Sequence, residues 1–216
     1  MEEMKILELL KSLIWIFKSP AIFWFKNLYV QLKNPSSRLS PQIIWIYDEI
    51  KNIKIEPGVT IGSFSEICVQ NGTYESSKPG VLKLETGVVI GSQANIRATN
   101  GTICIKKNSI LAQQVSLIGC NHKISLEKPY RDLPWDDCKT GITIEENAWI
   151  GSNVTVLPGC VIGKNSVVGA GSVLTRSIPN NEIWAGVPAR KIRAINSSDN
   201  TLQKQLIDTS IQESEV

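Results

Sequence analysis

The chain has 216 residues, 42% of them hydrophobic and 20% charged, with a formal net charge of +3. That composition supports one substantial domain with short appendages, excludes global disorder, and gives too weak a charge to point to nucleic acid. Five cysteines without a C-x-x-C pair argue against a disulfide framework or a zinc centre, and a single histidine, His122, excludes any mechanism that needs several imidazoles.

The first segment, residues 1–40, is rich in Trp, Phe, Ile and Leu, with lysines at 5, 11, 18, 26 and 33, and is predicted to be helical. Ser19-Pro20 reads as an N-cap followed by a first-turn proline, predicting two helices that meet there. No uninterrupted apolar run approaches the ~20 residues needed to cross a bilayer. Met1 is followed by Glu2 and Glu3 and no small-residue cleavage site follows an apolar core, so a cytoplasmic protein is expected. Two readings of residues 5–33 stand side by side. Aromatics with lysines suit peripheral contact with an anionic membrane at its inner face; the alternative is packing on protein.

The second segment, residues 41–195, is periodic. Ile144, Ile150, Val156, Ile162, Val168 and Leu174 recur every six residues, often followed by Gly or another small residue. The runs Ile55, Ile61, Ile67, then Leu84, Ile90, Ile96, then Ile105, Leu111, Leu117 keep the same period. A helix would need spacings of three and four, and a lone strand has no reason to place a turn residue every six. A short strand plus a corner, repeated, accounts for the pattern: the aliphatic residue points inward, and Gly, Asn or Ser relaxes the corner. Three such sides make one coil of a solenoid. The period breaks at residues 68–83, at 97–104, which reads as a short insertion, and at the loop 123–141 that follows His122. Residues 196–216 form a polar tail.

From Gly141 to Arg193 the sequence runs "GITIEENAWIGSNVTVLPGCVIGKNSVVGAGSVLTRSIPNNEIWAGVPARKIR". In this segment, and more loosely from Ile53 to His122, the chain resembles the hexapeptide-repeat acyltransferases, closest to the polysaccharide and lipopolysaccharide O-acetyltransferases and to the maltose and galactoside acetyltransferases. The resemblance implies an all-β fold, a left-handed parallel β-helix, assembled as a homotrimer with active sites between subunits; the helical N-terminal segment read above would be added to it. It implies acetyl-CoA as co-substrate, without a metal.

Acyl transfer requires a base for the acceptor, a held thioester and donors for the oxyanion. His122, in "IGCNHKI", is suited to take a proton near neutral pH and stands where the family's catalytic histidine stands. Its other ring nitrogen requires a carboxylate or a backbone carbonyl, with Glu145 and Asp132 as candidates. Cys120 reads as an inward packing residue rather than a nucleophile, so direct transfer is expected. By resemblance, the backbone at Ser152 and Ala170 would meet the pantetheine arm of the donor, Thr175 and Arg176 its nucleotide end, and Arg190, Lys191 and Arg193 its phosphates. Trp149 would wall the acceptor and thioester, and Arg97 and Asn121 would contact the acceptor. Galactoside and maltose acetyltransferases carry Asn where Arg97 falls, which argues against a simple free sugar. The expected function is O-acetylation of a sugar hydroxyl in surface polysaccharide or lipopolysaccharide biosynthesis. The alternatives are N-acetylation of a nucleotide-linked amino sugar, O-acetylation of an antibiotic, and a non-enzymatic membrane-attached scaffold.

Overall fold

A computed structural model describes residues 21–72 and 78–196. The expected helix break at Ser19-Pro20, residues 1–20 generally, and the tail from 197 lie outside the described residues. Residues 21–33 are helical, as anticipated, but the first strand, Arg38–Leu39, already begins inside the segment expected to be helical.

The rest is a left-handed parallel β-helix with three faces. Face 1 stacks Arg38–Leu39, Thr60–Ile61, Val89–Ile90, Ile110–Leu111, Trp149–Ile150, Val167–Val168 and Glu182–Gly186, and closes with the antiparallel strand Ala189–Ala194. Face 2 stacks Ile44–Tyr47, Glu66–Gln70, Asn95–Thr99, Ser116–Ile118, Thr155–Val156 and Val173–Leu174. Face 3 stacks Ile53–Ile55, Val81–Leu84, Thr102–Ile105, Ile142–Ile144 and Val161–Ile162. Successive members of the six-residue period fall on successive faces, so Ile150 registers on Val168 and Ile144 on Ile162. Each face therefore carries a buried aliphatic column, Ile61–Ile90–Leu111–Ile150–Val168 on face 1 among them. No coil can bury its inward residues alone; the neighbours above and below supply the apolar environment.

The corners are held by left-handed backbone. Gln93, Gln114 and Asn153 mark one corner, and Asn108, Asn147, Asn165 and Asn181 another, all with φ between 56° and 60°. Asparagine tolerates this conformation better than most residues. At the second corner the amides also form a ladder: Asn147 Nδ2 donates to Asn165 Oδ1 at 2.9 Å, and Asn165 Nδ2 to Asn181 Oδ1 at 2.9 Å.

The break at 97–104 is not a separate loop. Asn95–Thr99 and Thr102–Ile105 simply run longer than the strands of the later coils on their faces, leaving only Asn100 (φ 52°) and Gly101 to turn the corner. Around the first break, Glu66–Gln70 likewise extends into residues expected to be irregular. The break after His122 is a true excursion. The chain leaves the corner between faces 2 and 3 at Gly119 and rejoins it at Gly141, whose N–H donates to the Gly119 carbonyl at 2.7 Å.

The helix packs against the first coils through Asn27 and Val30. Asn27 is buried and donates to the Ile43 carbonyl, while Trp24, Phe25 and Leu32 are exposed.

Candidate functional site

His122 stands at the start of the excursion, exposed, where Ser116–Ile118 has just ended. Its Nδ1 lies 3.0 Å from the Leu133 carbonyl oxygen. A carbonyl only accepts, so Nδ1 carries the proton, and the neutral ring presents Nε2 with a free lone pair. Neither carboxylate expected to orient the ring does so. Glu145 pairs with Lys106 at 2.8 Å and Asp132 with Arg131 at 3.7 Å. The Trp135 ring stacks on the imidazole, centroids 4.0 Å apart and planes at 30°.

Cys120 is buried, and burial, reinforced by Cys68, pushes its thiol up to about 11. A nucleophilic sulfur must be a thiolate, so the packing role holds. Cys68 and Cys160 are also raised by burial.

Arg97 points outward from face 2, with its guanidinium 3.2 Å from Glu66. Its own carbonyl accepts the Gly119 N–H at 2.9 Å, which ties its strand to the root of the His122 loop. Asn121 is exposed, and its carbonyl accepts the Asp136 N–H at 2.8 Å. These two residues and His122 thus share one stretch of the solenoid.

Trp149 is elsewhere on the chain. It points outward from face 1, 56% exposed, while Ile150 beside it is fully buried. Its lateral neighbours in register are Ile110 and Val167. A Cβ on Gly151 would sit 2.6 Å from the Ala170 amide nitrogen, so the Trp-Ile-Gly turn requires glycine. Ser152 and Ala170 follow at the corner between faces 1 and 2. The Ser152 carbonyl accepts the Gly171 N–H at 2.9 Å, and its hydroxyl meets Gln113 at 3.1 Å. Ala170, Thr175 and Arg176 are exposed.

The final hairpin, Glu182–Gly186 with Ala189–Ala194, turns through Gly186 (φ 104°) and a cis Val187-Pro188 bond. It carries the basic cluster. Lys191 is committed to Glu182 at 2.6 Å, and Glu182 also accepts the Trp184 indole N–H at 2.7 Å. Those two donors hold the Glu182 carboxyl below its ordinary range. Lys191 is therefore less available to a phosphate than expected. The Arg190 and Arg193 guanidinium groups donate to the Ala189 and Ala194 carbonyls.

Within one chain the expected site is therefore in two halves: His122, Asn121 and Arg97 on face 2 and its far corner, Trp149 on the outward side of face 1.

Residues 141–176 match the family model described as bacterial transferase hexapeptide (six repeats). The galactoside O-acetyltransferase of Escherichia coli is 59% identical over 58 residues, covering 27% of this chain and 29% of that protein. A second Escherichia coli protein, named "Putative lipopolysaccharide biosynthesis O-acetyl transferase WbbJ", is 37% identical over 107 residues, 46% of this chain and 54% of that one. The chain thus spans about half or less of the length of these curated relatives. Among solved structures, a galactoside acetyltransferase in complex with coenzyme A superposes with a TM-score of 0.52 at 26% identity, over 79% of this chain and 70% of that one. Residues 141–176 thus carry the hexapeptide repeat, and the solenoid resembles that of the galactoside acetyltransferase structure.

Proposed function

We propose that the protein is an acetyl-CoA-dependent O-acetyltransferase that acts on a sugar hydroxyl of a surface glycan, as a homotrimer. The observation that carries this reading is the Nδ1–H···O=C bond from His122 to Leu133, which leaves Nε2 as a base. Nε2 takes the hydroxyl proton as the sugar oxygen attacks the thioester carbonyl. The tetrahedral intermediate collapses, the C–S bond breaks, and coenzyme A leaves as thiolate, which takes up the proton. A thiol's pKa near 8.5 makes thiolate a good leaving group, so no acyl-enzyme is required, and Cys120, two residues before the base, is buried with its thiol pushed up to about 11.

The donor fits an exposed path along the lower coils: the Ala170 corner for the pantetheine arm, Thr175 and Arg176 beyond it, and Arg190 and Arg193 for phosphates. Trp149 completes the site from a neighbouring subunit, because its outward face 1 position is on a different side of the solenoid from His122. The kinship with galactoside and lipopolysaccharide O-acetyltransferases supports a sugar hydroxyl. The Arg97 guanidinium stands outward from face 2 already paired with Glu66 at 3.2 Å, so the acceptor would meet an ion pair there rather than a lone cation.

The helix at 21–33 is assigned to an anionic bilayer surface, which fits a lipid-linked acceptor. Trp24, Phe25 and Leu32 are 59%, 62% and 68% exposed. From residue 9 to residue 47 the sequence contains Lys11, Lys18, Lys26, Lys33 and Arg38 and no acidic residue. Among the described residues no helix is long and apolar enough to cross a membrane.

The test is transfer from radiolabelled acetyl-CoA into extracted membrane glycolipids and, separately, into soluble nucleotide sugars. Label in the lipid pool that disappears with His122→Ala, while acetyl-CoA binding persists, is the expected result. Label only in the soluble pool would replace the glycan reading by acetylation of a nucleotide sugar.

A further inference from the structure

His122 is exposed and sits on an irregular excursion, yet a general base must hold its nitrogen within a hydrogen bond of the acceptor. What holds it is a run of four consecutive residues on the return leg of the loop. The Leu133 carbonyl takes the His122 Nδ1 proton at 3.0 Å. The Pro134 carbonyl accepts the Lys123 N–H at 3.0 Å. Trp135 pairs with His122 in an isolated antiparallel bridge and lays its ring on the imidazole. The Asp136 N–H donates to the Asn121 carbonyl at 2.8 Å. Each residue of 133–136 is thus used on one of the three residues 121–123. The clamp is itself anchored: Leu133 is buried, and the next residue, Asp137, binds Asn100 Nδ2 at 2.9 Å and, through its carbonyl, Lys78 at 3.0 Å.

We propose that Trp135 is the positioning residue for the base. Its ring fixes the plane of the imidazole while Leu133, two residues earlier, fixes the tautomer, so that Nε2 is the atom turned to the acceptor. Leu133 lies at a bend just before the Trp135 bridge, so the carbonyls of two successive residues, Leu133 and Pro134, both reach the leg that carries His122. Trp135 Nε1 is buried without a hydrogen-bond partner, so the indole is retained at the cost of an unsatisfied donor. A ring held there for its flat face accounts for that cost better than one held for its N–H. The inference rests on His122 as the base of the reading above, but its first test does not need the activity.

The chain has one histidine, so an untagged, nitrogen-15-labelled protein gives a single imidazole signal pair. In the neutral ring, wild type and Trp135→Phe are expected to show the Nδ1–H form alone, and Trp135→Ala a mixture of both tautomers. An Nε2–H form in the wild type, or a spectrum of Trp135→Ala identical to it, overturns the proposal whatever the substrate proves to be. In the transfer assay, Trp135→Ala is expected to lower kcat roughly 10- to 100-fold with the KM for acetyl-CoA unchanged, and Trp135→Phe to stay within about threefold of wild type. Equal losses in both variants, together with a raised KM, would instead make Trp135 a structural prop.

Discussion

At the scale of single residues, the solenoid depends on side chains that accept left-handed backbone while bonding to their equivalents one coil away. Asn165 does both, with φ 58° and amide bonds to Asn147 and Asn181. Asn165→Ala is expected to cost about 2 kcal/mol, combining the left-handed penalty with lost hydrogen bonds, and Asn165→Gly about half of that. Urea titration checks this; equal losses would mean the backbone conformation carries no strain. Asparagines at corners are legible in the sequence, because Asn and Gly are the expected residues there. Phe64, at φ 58° and 62% exposed, is not. The stack imposes the corner at that register, and local preference yields. His122 is legible as well, by its uniqueness and its place at the end of a run. Its partners are not. Leu133 and Trp135 lie in a segment without period, and the contact crosses a loop whose path no local pattern encodes; the carboxylates Glu145 and Asp132 look more suitable by chemistry but are spent on Lys106 and Arg131. The available hint was the Leu-Pro-Trp triplet on the return leg of the excursion.

At the scale of elements, the six-residue period is readable because each two-residue strand contributes one buried residue at the same place in the repeat. Where strands lengthen, as at Asn95–Thr99 and Thr102–Ile105, the extra residues remain paired, and a reading based on period alone mistakes them for an insertion. The N-terminal helix inverts the usual pattern. A helix on a protein surface buries its apolar stripe, but this one buries Asn27 and Val30 and presents Trp24, Phe25 and Leu32. Flotation of the full chain with vesicles is expected to show binding to anionic lipid, little to zwitterionic lipid, and a loss of at least roughly tenfold in the variant Trp24→Ser, Phe25→Ser, Leu32→Ser. Failure of the wild type to float, or undiminished flotation of the variant, would leave protein packing as the role of this face. The exposed positions chosen make few internal contacts, so the variant is expected to fold.

At the scale of the whole molecule, the split of the expected site between two sides of one solenoid makes a specific demand on assembly. If His122 of one subunit works with Trp149 of the next, two inactive variants can rescue each other. His122→Ala and Trp149→Ala, unfolded together in equal amounts and refolded, are expected to recover activity in about a quarter of the sites, since each site draws its two residues independently from the mixture. A site built within one chain recovers none. Light scattering on each variant alone is expected to give the mass of three chains.

The parallel stacking of the faces makes the solenoid a ruler. The root of the His122 loop follows the strand Ser116–Ile118, which lies two strands from Val173–Leu174 along face 2, and the basic hairpin follows that last strand. Each strand step is about 4.8 Å. The separation between His122 and the hairpin arginines, which the proposed function assigns to the base and to phosphate contacts, is thus counted out in coils rather than set by any flexible linker. Copying one coil, residues 157–174, into the chain would leave every inward column intact and each corner satisfied. It would nevertheless carry the arginines one strand step away from the base, and a donor molecule of fixed length would no longer reach both ends. A protein that folds as well as before but has lost its fit to the donor would show that coil number is itself a determinant of which acyl carrier is accepted.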